Sequence, residues 1–572
     1  MFDTMQLRED YRFFLRAFDC FEQERADRKL RTFADLIYDP VRALNLDKSQ
    51  IRHIENKFSH VIIDEYQDVN EIQQTMMRWI TGTRAEVMVI GDPSQCIYVW
   101  RGAKPEYIVS GFERDFGACK TYQLSRTFRY GHRISNLANH CINQNRDRPD
   151  ALCLSAPSTP DSKITCLDES QGIGPIIDAW RQQGRKLEEI AVLPRLFSMA
   201  AGIEMELLDK GTPYRLVGSE SILESPITNA VLGFMHLCHK TLAQHPRLPA
   251  LVKAMLTVPP LGITQGEIKE AGYKIINAPQ LASQVLTQMA AFAKPFQAGN
   301  LRKRAQIFNL FASISPDAKA ETAIKQFASE SGAVAFFSKS PTAEAADEKA
   351  KIIEALVFYA KKGDLTIRQF IAAIAKMEQA MQKLEDADDA LLITSIHRAK
   401  GLEWPVVFIP GLKDGSFPFF SAERPMTRRA IEDERRLYYV GVTRAKEHLY
   451  LMHPRDASLA QAMTAGAQTH PEHPLASRFL FESNISLSSA VGTALANPST
   501  FVFRPAEHPG VANRYMKELG CALEIPQTPP AVTVALRQVP PATPPPSVVY
   551  DGSRFALGDR VEHPKFGSGT VR

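Results

Sequence analysis

Several things are scarce or missing in this chain of 572 residues, and each absence excludes a class. No apolar run approaches the roughly 18 residues that a membrane-spanning helix requires, so no span is expected. The eight cysteines (Cys20, Cys96, Cys119, Cys141, Cys153, Cys166, Cys238 and Cys521) include no pair at the close spacing of a zinc knuckle or a redox site. They read as reduced thiols of a cytoplasmic protein. Neither sign of charge dominates: 68 Lys and Arg stand against 64 Asp and Glu, a net of +4. Any surface for a polyanion must therefore be a local patch and not a property of the whole molecule. Residues 1–30 are crowded with Arg, Asp and Glu, which is not the pattern of a signal peptide.

What is present is a long globular composition, 44% hydrophobic and 23% charged, sufficient for three or four cores. Residues 1–56 have amphipathic helical periodicity, with Phe13, Phe14, Phe18 and Phe21 expected to pack into a core. Short apolar runs at His60-Val61-Ile62-Ile63 and Val87-Met88-Val89-Ile90 end abruptly in acidic residues. Such runs suit parallel strands covered on both faces, with functional groups at their carboxyl ends. Helices and strands alternate to about residue 240, residues 241–384 are helical in period, and strands return at Leu391-Leu392-Ile393-Thr394 and Val406-Val407-Phe408-Ile409. Between Pro526 and Pro546 the composition is that of an extended tether. Beyond it, residues 557–572 read as two short strands around a Gly-rich turn.

The chemistry concentrates in a few blocks. In Val61-Ile62-Ile63-Asp64-Glu65-Tyr66-Gln67-Asp68 a strand ends on two carboxylates. One can hold a magnesium ion, and the next can stand beside an attacking water, as nucleotide hydrolysis requires. In Gly91-Asp92-Pro93-Ser94-Gln95-Cys96-Ile97-Tyr98-Val99-Trp100-Arg101 the next strand end places Gln95 within reach of the same phosphates. Tyr98, Trp100 and Arg101 leave on a loop, where they form either a stacking platform for single-stranded bases or a core Trp beside a surface Arg.

These two blocks resemble motifs II and III of the UvrD/Rep/PcrA family of superfamily 1 DNA helicases, and others resemble the rest of the set. Leu124-Ser125-Arg126-Thr127-Phe128-Arg129 is similar to motif IV, with Thr127 and Phe128 where the family usually has Asn and Tyr. Thr394-Ser395-Ile396-His397-Arg398-Ala399-Lys400-Gly401-Leu402-Glu403-Trp404 is similar to motif V, and Asp433 to Ala445 to motif VI. The resemblance implies an α/β fold: two RecA-like nucleotide-binding domains, the first incomplete, with a mainly helical insertion. It divides the chain into a remnant of helical subdomain 1B (1–56), the C-terminal part of the first RecA-like domain (57–116), a second RecA-like domain (117–240 and 385–485), the insertion 2B (241–384), a Pro-rich linker (486–550) and a partial Tudor-like module (551–572).

By the same resemblance Asp64 holds Mg2+, and Asp64, Glu65, Gln95, Arg129 and Arg444 serve hydrolysis of ATP, with Arg129 and Arg444 as arginine fingers. Phe128, Gly401 and Glu403 contact the nucleotide, Phe128 by stacking on adenine and Glu403 through the ribose. Tyr98, Trp100, Arg101, Thr394 and His397 face DNA. The implied activity is ATP-dependent 3′–5′ unwinding or translocation on single-stranded DNA and its junctions with duplex.

Departures from the family pattern are equally visible. No Gly-Lys dipeptide occurs anywhere in the chain, so the Gly-x-x-x-x-Gly-Lys-Thr phosphate loop is not among its residues. The expectation is an incomplete or split gene product that works with a separate chain bearing the loop. The alternative is an ATPase-inactive single-stranded DNA-binding or regulatory protein; a helicase–nuclease is disfavoured, because no nuclease block follows residue 485. Ile222 and Ser225 stand where the family has an aromatic and an Arg, so Glu224 receives no role. Residues 453–474 contain no Phe, Tyr or Trp to act as a strand-separating pin. The C-terminal module is expected to recruit a protein partner.

Overall fold

The computed structural model describes residues 13–146, 148–340, 343–384, 387–420, 425–465, 474–496, 510–521, 560–563 and 567–570. Residues 1–523 form one compact unit and 524–572 another.

Near the start of the first unit, β1 (His60–Ile63) and β2 (Glu86–Val89) pair in parallel. Helix Glu71–Thr81 connects them, opened by an Asn70–Gln73 capping box. β3 (Arg126–Thr127) and β4 (Leu154–Ser155) make a second, very short parallel pair. The main sheet contains β5 (Lys163–Asp168), β6 (Ile190–Val192), β7 (Tyr214–Val217), β8 (Leu391–Thr394), β9 (Trp404–Ile409) and β10 (Ala445–His453). Their order is β5-β10-β9-β6-β8-β7, and every pairing is parallel.

The central strands β6, β8 and β9 are largely buried on both sides because their sequences are almost wholly apolar. With a side-chain period of two, Ile190, Val192, Val406 and Phe408 enter the core on one face, while Ala191, Leu193, Val407 and Ile409 enter the core on the other. Helices Arg428–Val442 and His132–Ile142 pack into that second core. The chain between β7 and β8 is helical, from Pro226–Cys238 to Ile367–Leu384, around Phe234, Phe308, Phe311 and Phe327. This matches the period read from the sequence there.

Three expectations are corrected. Phe18 and Phe21 do not enter a core: they are exposed on helix Phe13–Asp27 and lie 6.5 Å apart, ring to ring. β1 and β2 are not covered on both faces, since Ile62 and Met88 remain 68% and 56% exposed. Nor does the packed body end at 485. Helices Ile485–Ala496 and Val511–Glu518 bury Val491, Ala512 and Tyr515 against Leu152 and Leu154, within the stretch expected as linker. Their apolar spacing outweighs their place before the Pro-rich stretch, which lies outside the described residues.

In the second unit β11 (Arg560–His563) and β12 (Gly567–Thr570) pair antiparallel, Arg560 opposite Thr570. This is the hairpin expected from the Gly-rich pattern.

Candidate active site

β1 delivers Asp64 and Glu65 at its carboxyl end, both exposed. Glu65 adopts the left-handed backbone conformation (φ 52°), uncommon for a residue with a side chain, and its N–H donates to Asp64 Oδ1 at 2.8 Å. The Gln67 amide donates to Glu65 Oε2 at 2.5 Å, and its oxygen accepts the Asp92 N–H at 3.0 Å. This bridge between the two strand ends requires Gly91, because a Cβ there would lie 2.3 Å from Gln67 Oε1. Asp92 in turn accepts from Gln95 Nε2 at 3.0 Å.

Gln95 is where the loop after β2 meets Arg444 and Lys400 of the main-sheet connections. Its side-chain oxygen accepts from Arg444 Nη2 at 3.1 Å, and its carbonyl accepts from Lys400 Nζ at 2.9 Å. Arg444 follows helix Arg428–Val442, is 1% exposed, and also donates to the carbonyls of Val440 and Leu402. Burial, and then the nearby Arg129, push its pKa down to about 10, so it stays charged at neutral pH. Arg129 follows β3, pairs with the Glu403 carboxylate and donates to the Thr443 carbonyl at 3.2 Å. Glu403 also holds Lys446 at 2.6 Å. Its pKa is lowered by the hydrogen bond from Lys446 and then by Arg129, which together outweigh burial.

An unbroken chain of contacts thus runs from Glu65 through Gln67, Asp92 and Gln95 to Arg444, and on through Thr443 to Arg129 and Glu403. Acidic strand ends on one side face guanidinium groups on the other, an arrangement that can hold a polyphosphate and neutralise charge developing on it. The exposed Asp64 carboxylate suits Mg2+, which takes one or two carboxylates and completes its shell with phosphate and water oxygens. The described residues contain no cluster of three or more His, Cys, Asp or Glu placed to hold a metal without such help. Phe128, beside Arg129, is 74% exposed and free to stack. Gly401 sits at φ 86°, a conformation that favours glycine, and nothing lies within 4 Å of where its Cβ would be.

The loop expected to face DNA is also assembled. The Arg101 guanidinium lies 4.7 Å from the Trp100 ring and 5.4 Å from that of Tyr98. Trp100 is half exposed, which removes the reading of a core Trp. Tyr98 donates its hydroxyl to the His397 carbonyl at 2.9 Å, joining this loop to the one after β8. His397 is partly buried, and burial lowers its pKa to about 4, so it is neutral at physiological pH. Thr394 is not brought to this surface: it is buried and donates its hydroxyl to the Val217 carbonyl at 3.0 Å.

Comparison with known proteins shows the family. The family model for the UvrD/REP helicase N-terminal domain matches residues 4–117, and that for the UvrD-like helicase C-terminal domain matches residues 122–455. The chain belongs to the UvrD-like helicase family. It is similar to DNA helicase II of Escherichia coli (strain K12), 27% identical over 567 residues, covering 96% of this chain and 71% of that protein. ATP-dependent DNA helicase PcrA of Bacillus subtilis (strain 168) is 26% identical over 560 residues, covering 94% and 69%. DNA helicase II of Haemophilus influenzae is 28% identical over 486 residues, covering 80% and 63%.

For this UvrD-like chain the sequence blocks named most of the converging groups but passed over three. Gln67 and Lys400 lay inside recognised blocks without a role, and Lys446 lay just past one. A signal for Lys400 was available: Asp68, three residues past the strand-end pair, needs a cation if it is buried, and an isolated Lys between Ala399 and Gly401 is a candidate. No described helix is long and apolar enough to cross a membrane.

Proposed function

We propose that this chain works as an ATP-dependent DNA helicase or translocase moving 3′ to 5′ along single-stranded DNA. The observation that carries the reading is the contact chain from Glu65 to Arg444, together with the Arg129–Glu403 pair. ATP enters between the β1–β2 strand ends and the main sheet, where Asp64 would hold Mg2+ and Glu65 orients the attacking water. Arg129 and Arg444 leave their protein acceptors for the phosphates, and Glu403, released from Arg129, accepts from the ribose. Drawing together and parting of the β1–β2 segment and the main-sheet segment alternates the grip of Tyr98, Trp100, Arg101 and the His397 loop on the strand. The phosphate loop comes from outside these 572 residues, on a segment bearing Gly-x-x-x-x-Gly-Lys-Thr. The setting is cytoplasmic, consistent with eight free thiols, and the Arg560–Thr570 hairpin serves a protein partner.

The test is DNA-stimulated ATPase and unwinding by this chain mixed with a polypeptide that carries such a loop. Stimulated hydrolysis is expected, and Arg444→Ala should lower its kcat about 1000-fold or more, the scale of an arginine finger. A well-folded mixture with no hydrolysis above background overturns the reading. The lack of any Gly-Lys dipeptide favours one rival, a non-hydrolysing single-stranded DNA-binding protein. That rival binds oligonucleotides in a salt-dependent way that ATP leaves unchanged.

A further inference from the structure

Lys400 is the one cation of the β8–β9 connection that reaches the carboxylates of the Glu65–Asp68 segment. Its side chain is 8% exposed. The ammonium pairs with Asp68 and lies 3.4 Å from Glu65. It donates to the Gln95 carbonyl at 2.9 Å and stands 5.4 Å from the centre of the Tyr98 ring. One group therefore touches the carboxylate pair, the first turn of the Gln95 loop and the base of the aromatic platform. Three residues earlier, the same connection holds Tyr98 through the His397 carbonyl.

Asp68 gives the arrangement its tension. Its Oδ1 is buried with no hydrogen-bond partner, and its other oxygen depends on Lys400. Burial raises the Asp68 pKa, and Lys400 opposes that rise. Without the ammonium, a largely desolvated carboxylate loses its counter-charge and the loops it joins lose a shared anchor. Lys400 is too enclosed to serve as a phosphate contact on a DNA strand.

Resting on the reading above, we propose that Lys400 is a positioning residue: it fastens the Tyr98–Arg101 platform to the Glu65–Asp68 segment, so that a strand on the platform and a nucleotide at the carboxylates act on one buried ion pair. The proposal makes an unusual electrostatic prediction. Removing the negative charge of Asp68 should weaken binding to DNA, although removing an anion ordinarily strengthens attraction to a polyanion.

The experiment measures binding of a labelled oligo(dT) to the full chain by fluorescence anisotropy across a salt series. Lys400→Met and Asp68→Asn are each expected to weaken binding at least fivefold, with the slope of log affinity against log salt unchanged. The exchanged pair, Lys400→Glu with Asp68→Lys, should recover to within threefold of the unmodified chain. A slope reduced by about one in Lys400→Met would make Lys400 a phosphate contact and overturn the proposal. So would unchanged affinity in both single variants, or an exchanged pair no better than either. Against loss of fold in the variants, amine labelling of the unmodified chain gives a second readout. Lys400 should be protected relative to exposed Lys120, and equal labelling of the two overturns the ion pair itself. An unmodified chain that fails to bind oligo(dT) defeats the helicase reading and the platform role together. Binding indifferent to both substitutions defeats only the role of Lys400.

Discussion

The main sheet and the β1–β2 pair of the first unit make opposite use of the same kind of sequence. β6, β8 and β9 are apolar runs, and they sit between two cores that take alternate side chains. β1 and β2 are apolar runs of similar length, yet their residues alternate between exposed and half-buried, and Ile62 and Met88 face outward. Their polar ends are nonetheless in place, because Gln67 and the β1–β2 hydrogen bonds fix them locally. The lesson is that strand pairing and a loop of a few residues suffice to aim Asp64, Glu65 and Gln95, whereas hydrophobic stabilisation depends on what lies over the strand.

That contrast can be broken at its strong end first. Phe408 is fully buried and stacked on Tyr450 at 4.5 Å, so Phe408→Ala should cost roughly 3–5 kcal/mol in denaturant unfolding. Acid sharpens it next. The histidines whose pKa is lowered, among them His140, His397 and His448, all lie outside residues 57–116. For His140 burial lowers the pKa from 6.5 to about 4. The unfolded chain then binds the extra proton first, so stability falls as pH drops from about 6.5 toward 4 and levels off below. Between pH 7 and pH 4.5, His140→Leu should lose roughly 2–3 kcal/mol less than the unmodified chain.

A smaller effect is expected where the late helix straps β4. The Tyr515 hydroxyl accepts from the Ser155 N–H at 3.1 Å and shares a hydrogen bond with His132 Nδ1 at 2.9 Å. Tyr515→Phe should cost about 1–2 kcal/mol, and it should raise hydrogen exchange at Ser155 above that in the main sheet. Least of all, Met88→Ala on the open sheet should fall within about 0.5 kcal/mol of the unmodified chain. A cost at Met88 equal to that at Phe408 would dissolve the distinction between the two sheets.

Much of the candidate site was legible because its residues are held by short-range chemistry. A strand ending in Asp64-Glu65, a Gly91-Asp92 strand end and the Thr443-Arg444 helix end each carry their geometry within a few residues. The pairings were not legible. Nothing adjacent to Arg129 announces Glu403, 274 residues away, and Asp68 calls for a cation without saying that burial will bring Lys400 to it. Thr394 misled for a related reason: its block faces the ligands, but its own hydroxyl is spent inside the sheet on Val217. The phenylalanines at 18 and 21 misled because helical spacing reports an apolar face without saying what covers it.

By itself the sequence determined the apolar strands β1, β2, β8 and β9, the helical character of the insertion and the chemical type of each strand-end group. These follow from periodicity and from residue types that bond to near neighbours. The tertiary structure alone decided that Gln95 touches Arg444, that Arg129 rests on Glu403 and that a buried lysine crosses from the β8–β9 connection to Asp68. Contacts between residues hundreds of positions apart depend on how whole sheets pack, and local pattern carries no record of that.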